Sequence, residues 1–302
     1  MSRRRTALFA CLVALVGCQT EKTASPQKSA LQPPIRIGLI PEQNIFRQVE
    51  RYKPLGEYIS GKIGRNIEMT VLPRYGNIVD NFRSQQLDGA FFGSFTYALA
   101  HSKLGVEVIA RPVWSDNTST YYGVIFARKD SGIRSAAQLK GRRFVFVDKA
   151  TTAGYLLPLE YFRENGIRDY RRYFGETWFA GTHEGAIRDV LDRSADAGAA
   201  KSAVFLQMNR RDGRIGRELV VLARSPEVPE NGLAFRKDFD VPLRERIREI
   251  LLGMSNDRAG TEILRKFGAE RFIPTTDADY APVYDYARHV GLDLATYDYV
   301  NE

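Results

Sequence analysis

From residue 35 onward, short apolar segments of strand character alternate with segments of helical period, and the alternation restarts after a polar break at Arg128-Lys129-Asp130-Ser131-Gly132. Residues 35–40, 67–72, 87–92 and 106–112 read as strands, with helices predicted over 52–63, 75–86 and 95–102 between them. Such a series calls for a mostly parallel sheet covered by helices. A longer strand over 121–127 precedes the break. After it the pattern predicts strand 143–147, helix 152–165, strand 177–179, helix 184–193, and strands 195–199 and 218–223. A Pro-rich break over 225–232 leads to strand 233–236 and a helical remainder at 242–252, 261–267 and 279–289. The reading is α/β with two lobes: residues 35–127 and 233–302 form lobe 1, and 128–232 form an inserted lobe 2. No repeat of solenoid length is present.

The first eighteen residues address the chain. Arg3, Arg4 and Arg5 form a positive n-region, followed by ten apolar residues, 7–16. A helix that spans a bilayer takes about 20 apolar residues, so this stretch has the size of an export-signal h-region. Leu15-Val16-Gly17-Cys18 then sets small residues before a cysteine, the order of a lipobox. The plainer alternative, a buried N-terminal element with an ordinary cysteine, does not call for that order. Residues 1–17 read as a lipoprotein signal peptide, Cys18 as the lipidated first residue, and 18–34 as a flexible tether rich in Ser, Thr, Lys and Pro. Cys11, the other cysteine, falls in the removed segment, so the mature domain is expected to hold no disulfide and no thiolate metal site. No other apolar run nears transmembrane length, which predicts a protein anchored at the membrane, in the periplasm or on the cell surface, rather than one spanning it.

Composition narrows the partners. At 302 residues, 44% hydrophobic and 26% charged, the chain suits an ordinary globular core. The formal net charge of +8 falls by three to +5 without Arg3, Arg4 and Arg5. That balance suits an anionic ligand or an anionic membrane surface. No dense Lys/Arg run with interleaved aromatics is present, so nucleic acid is not expected. The histidines, His101, His183 and His289, lack HExxH spacing and make no metal site, and no cofactor is implied.

The segment 144–155, Phe-Val-Phe-Val-Asp-Lys-Ala-Thr-Thr-Ala-Gly-Tyr, carries the main chemical signal. An apolar strand runs into a small, hydroxyl-rich turn that opens a helix. The first amides of a helix lack internal partners and carry the positive end of its dipole, which stabilises an oxyanion. Thr151 and Thr152 add hydroxyls, while Ala153 and Gly154 let an anion approach the backbone. Spacing alone does not choose between this reading and a plain helix cap.

The segment resembles the Ser-Thr-Ser-Gly-Tyr stretch of the phosphate/phosphite/phosphonate substrate-binding proteins of ABC transporters. Other blocks resemble theirs in the same order: Leu87 to Gly93, Arg128 to Ile133 with Leu139-Lys140-Gly141, Gly181-Thr182-His183-Glu184, Asp196-Ala197-Gly198-Ala199, and Ser225 to Pro229. The likeness covers nearly the whole mature domain. It implies a periplasmic-binding-protein-like fold whose ligand cleft lies between two lobes that close by a hinge, beyond the carboxyl ends of strands. It also implies a monomer that binds a small anionic ligand and serves an ABC permease.

The resemblance places Gly93 and Ser94 from lobe 1, and Thr151, Thr152, Ala153, Gly154 and His183 from lobe 2, around the ligand. His183 then donates to an anion oxygen, with its protonated fraction raised by the negative charge; the alternative is a residue capping the helix near Glu184. Aromatic residues at strand ends, Phe92, Tyr97 and Tyr122 with Tyr75 and Tyr121, are further candidates against ordinary core packing. Lys201 offers a cation that could complement a doubly charged ligand, but the favoured reading is a lysine solvated or paired with a surface carboxylate. Two departures stand out. Ala153 occupies a position that is usually Ser, removing one hydroxyl, and Pro158 predicts a kink inside the helix. An enzyme is the competing class. Asp148 with His183 supplies a potential base pair, yet no Cys nucleophile, GxSxG or Walker loop accompanies it. A ligand sensor of the same fold is the other alternative.

Overall fold

The structure, a computed structural model, describes residues 32–75, 78–84 and 86–301. The expected signal peptide, Cys18 and the tether up to residue 31 lie outside the described residues. The strands in chain order are β1 (Ile35–Leu39), β2 (Ile67–Val71), β3 (Gly89–Phe92), β4 (Glu107–Trp114), β5 (Thr120–Tyr121), β6 (Gly123–Arg128), β7 (Arg143–Phe146), β8 (Glu176–Phe179), β9 (Ala197–Lys201), β10 (Leu219–Arg224), β11 (Val228–Pro229), β12 (Gly232–Phe235) and β13 (Ala269–Pro274).

These strands build two mixed sheets flanked by helices. The first has the order β13-β4-β12-β3-β1-β2 and the second β10-β6-β9-β7-β8, while β5 and β11 pair with each other between them. In the first sheet β1 runs parallel to β2 and β3, as helical crossovers require. Strand β12, where the chain returns from the second sheet, slots antiparallel between β3 and β4. In the second sheet β7 is parallel to β8 and β9, and β6 is antiparallel to β9 and β10.

Three expectations change. The strand predicted over 121–127 breaks at Tyr122, and its larger part, β6, pairs within the second sheet. The chain therefore crosses between sheets at the paired β5 and β11, not after Ala127. The expected all-helical remainder contains a strand, β13, which pairs with β4 at the sheet edge. Glu270 and Arg271 are exposed there and interrupt the apolar run. The helix expected over 152–165 is a π-helical turn over Thr152–Leu156 followed by an α-helix over Leu157–Glu164. Pro158 thus falls in the first turn of the α-helix rather than in its interior. The carbonyl of Gly154, four residues before that proline, accepts from Val147 N–H at 3.2 Å, so the missing proline donor leaves nothing unpaired.

Side-chain alternation divides the core. On β7, Phe144 and Phe146 enter one apolar cluster with Tyr155, Phe162 and Phe174, while Val145 enters another on the opposite face. That second cluster runs from the first sheet into the second, joining Phe92, Phe95 and Tyr97 to Val145, Val147 and Ile187. The outer face of the first sheet is closed by Tyr52, Leu55 and Ile59 of the helix Ile45–Ile63.

Candidate functional site

The parallel strands of both sheets send their carboxyl ends toward one small cavity. Glu42 follows β1, Tyr75 follows β2, Gly93 follows β3, Ala150 to Thr152 follow β7, His183 follows β8, and Lys201 ends β9. Open α/β sheets bind ligands at this edge, where crossover loops and helix starts converge.

Two helices begin at the cavity wall. Gly93 caps the helix Ser94–Leu104, and Thr151 precedes the π-turn that leads into Leu157–Glu164. Among the described residues, no protein group accepts from the amides of Thr152, Ala153 and Gly154. The turn before them is braced. Asp148 is fully buried; its carboxylate takes Ala150 N–H at 2.9 Å and the Asn301 amide at 2.8 Å. The Asn301 carbonyl oxygen accepts from Lys149 N–H at 3.0 Å, and the Tyr297 hydroxyl donates to the Lys149 carbonyl at 2.9 Å. The C-terminal segment thus straps the loop that presents the orphan amides.

The side chains differ in what they have left to offer. The Thr151 hydroxyl donates to the Asp148 carbonyl at 2.6 Å. Thr152 Oγ1 accepts the Phe95 amide at 2.8 Å, a bond between the two lobes. Tyr75 is only 2% exposed and its hydroxyl has no partner among the described residues. A buried polar atom without a partner is rare enough to point at a missing one. Burial, helped by Glu42, pushes the Tyr75 pKa well above 10, so the group is a donor at neutral pH. His183 Nδ1 accepts Lys201 N–H at 3.2 Å, which leaves the proton of the neutral ring on Nε2. Burial, with the Lys201 charge beside it, lowers the His183 pKa from 6.5 to about 3. With the cavity free of an anion, the ring is a neutral donor through Nε2. The ring lies edge-on to Tyr75, with centroids 6.0 Å apart.

Lys201 overturns its expectation. It is 4% exposed, and its ammonium contacts Glu42 at 2.9 Å, Asn231 at 3.1 Å and the Glu230 carboxylate. The ring centre of Tyr121 lies 4.4 Å away. Burial opposes its charge, but Glu230 and Glu42 outweigh burial and raise its pKa. Burial likewise favours neutral Glu42, and Lys201 reverses this to lower its pKa.

Of the residues predicted from sequence, Gly93, Thr151, Thr152 and His183 meet at the cavity. The others do not line it. Phe92 stacks on Phe82 in the core, and Tyr97 packs against Tyr280 with ring centres 4.4 Å apart. The Ser94 hydroxyl donates to the Pro229 carbonyl, and Tyr122 sits beneath the Arg224 guanidinium. Ala153 packs on Gly123, so a serine hydroxyl there would start from the β6 side. Gly154 serves close packing: a Cβ on it would lie 2.4 Å from Val147. Asp148 and His183 each bond elsewhere and form no base pair. Sequence reasoning left out Ile40, Glu42, Thr96, Ala150 and Asn231, held Tyr75 and Tyr121 only as aromatic candidates against core packing, and favoured a solvated or surface-paired Lys201. Their common signal, position just beyond a strand end, was available for Glu42, Tyr75 and Lys201.

Residues 37–280 match the family described as ABC transporter, phosphonate, periplasmic substrate-binding protein. The chain is 23% identical over 286 residues to the phosphonates-binding periplasmic protein of Escherichia coli, covering 92% of this chain and 82% of that one. Its fold is similar to that of a binding protein component of an ABC phosphonate transporter from Pseudomonas aeruginosa, with TM-score 0.79, 22% identity, and 86% and 87% of the two chains covered. It is also similar to PhnD1 from Prochlorococcus marinus in complex with methylphosphonate, with TM-score 0.74, 22% identity, and 85% and 97% covered. The profile spans most of the chain, and the two lobes enclose a donor-lined cavity. The chain belongs to the periplasmic substrate-binding protein family of ABC phosphonate transporters.

Proposed function

We propose that the chain captures a small tetrahedral oxyanion of the phosphonate, phosphite or phosphate class between its lobes and hands it to a membrane permease. The observation that carries this reading is the meeting of Thr152, whose amide no described protein group accepts from, with Tyr75, whose hydroxyl has no partner among the described residues, and His183, whose neutral ring carries its proton on Nε2, at one cavity. Each supplies a donor, and hydrogen bonds to a charged acceptor are the strong ones. The ligands named for the relatives, phosphonates and methylphosphonate, are of this class. The site is read as one that binds without turnover: Asp148 is held by Asn301 and His183 by Lys201 N–H, so neither is paired with a hydroxyl as its base. The lipidated Cys18 anchors a monomer to the membrane through the tether.

Titration calorimetry with phosphite, phosphate, methylphosphonate and sulfate tests the ligand. One of the phosphorus oxyanions is expected to bind, and Thr151→Ala with Thr152→Ala to weaken it by about tenfold or more. Unchanged affinity in that variant means the pocket is elsewhere. Product formation from a phosphate ester contradicts the binding-only reading. For the anchor, Cys18→Ser is expected to move the expressed protein from the membrane to the soluble fraction; a variant still retained there contradicts it.

A further inference from the structure

The turn that brings Ala150, Thr151 and Thr152 to the cavity is completed by the far end of the chain. Asn301 lines neither that cavity nor the open cleft beyond Glu42 and Lys201, yet its side chain bonds Asp148 and Lys149 at once. We infer that Asn301 is a positioning residue of the anion site: through Asp148 and Lys149 it fixes the turn that sets Thr152 at the cavity, and oxyanion affinity depends on it. This rests on the oxyanion reading of the cavity and adds to it a residue that does not touch the ligand.

The turn bonds only part of its own backbone. Asp148 Oδ1 accepts Ala150 N–H at 2.9 Å, and the Asp148 carbonyl accepts Thr151 N–H at 3.0 Å and the Thr151 hydroxyl at 2.6 Å. The backbone of Lys149 is bonded from the C-terminal segment instead. Asn301 Oδ1 accepts its N–H at 3.0 Å, and the Tyr297 hydroxyl donates to its carbonyl at 2.9 Å. Asn301 Nδ2 donates to Asp148 Oδ2 at 2.8 Å, which leaves the other carboxylate oxygen on Ala150 N–H. The next amide along the chain is that of Thr152, the first that no described protein group accepts from. The bonds before it therefore set where it lies. The segment has its own anchor on the first lobe. The Lys103 ammonium donates to the Ala295 carbonyl at 2.7 Å, the Tyr297 ring lies 5.7 Å from that of Phe95, and Tyr299 is buried in the apolar cluster that joins the two sheets. A turn of the second lobe is thus held in register with the lobe that supplies Gly93 and Thr96 to the same cavity. An amide side chain suits position 301 because it accepts from a backbone N–H and donates to a carboxylate together; an ionised carboxylate there would only accept.

Titration calorimetry on the mature protein with phosphite and methylphosphonate, beside unfolding midpoints, tests this. Asn301→Ala is expected to weaken the tighter of the two anions by about tenfold or more, since it removes a bond to a charged group of the turn. Tyr297→Phe, which keeps the ring against Phe95, is expected to weaken it by about threefold. Asn301→Asp separates positioning from mere support. Asp148, Lys149 and Tyr297 face the introduced carboxyl. Two carboxyls that close share a proton at low pH and lose it as pH rises. With the proton, the pair repeats the wild-type bonds; without it, like charges part the segment from the turn. The affinity ratio of wild type to Asn301→Asp is expected to be about threefold or less at pH 5 and about tenfold or more at pH 9. Taking the ratio cancels the ionisation of the ligand and of His183. A ratio near one at both pH values, or one that pH does not move, overturns the inference while the oxyanion reading stands. If neither anion binds wild type, the oxyanion reading fails and the inference with it. Where Asn301→Ala does not fold, Tyr297→Phe and Asn301→Asp decide.

Discussion

Tyr75 and His183 carry the most specific consequences at the scale of single residues. Because the Tyr75 hydroxyl has no partner among the described residues, removing it is expected to cost the fold little and the ligand much. Tyr75→Phe is expected to weaken oxyanion binding by about 10- to 100-fold, the worth of one hydrogen bond to a charged group, with an unchanged unfolding midpoint. Lost stability with unchanged affinity would show the hydroxyl to be structural. His183 makes a pH prediction. Its folded pKa of about 3 lies below the 6.5 of the exposed ring, so between these values the unfolded chain holds a proton that the folded chain does not. Stability is complete above pH 6.5 and falls as pH drops toward 3, at a limit of about 1.4 kcal/mol per unit. His183→Gln is expected to flatten that slope in denaturant melts taken from pH 7 to pH 4; an unaltered slope places the acid sensitivity in other groups. Glu42, Tyr75 and Lys201 show why sequence left the site half-drawn. Lys201 reads as an ordinary solvated lysine until Glu42 arrives from residues 159 positions away, and no local pattern encodes that meeting.

At the scale of elements, the strand–turn–helix over residues 144–164 was legible because its cause is local. An apolar strand, a run of small residues and a helix start must leave amides without internal partners. Its inner geometry was less so. Gly154 is glycine because the turn folds onto Val147, and Pro158 sits harmlessly because the π-turn ends before it and the α-helix begins at Leu157. Both follow from contacts seen only once the turn is built. Gly154→Ala is expected to destabilise the protein by about 1–3 kcal/mol through overpacking and to lower oxyanion affinity with it. A variant of native stability and affinity would mean the turn relaxes without cost. The helix Ser94–Leu104 shows the same split. It was predicted over 95–102, one residue late at its start, while the Phe95 amide is spent on Thr152 across the lobes.

Over the whole molecule, the two-lobed α/β plan was legible from the alternation of segments and its restart, since each strand's apolar run and each helix's period are local properties. The crossing points were not. β6 is apolar enough for either sheet, and its placement depends on β9 and β10 as partners. The edge strand β13 was hidden by its exposed charges for the same reason. What the plan achieves is to bring the carboxyl ends of parallel strands from both sheets to one enclosed place, with donors from both lobes and a buried ion cluster at its wall. A crystal structure of the protein grown with methylphosphonate tests that directly. The phosphonate oxygens are expected within about 3 Å of the Thr152 amide, the Tyr75 hydroxyl and His183 Nε2. A phosphonate bound in the open cleft instead, with those donors still unpaired, would contradict it.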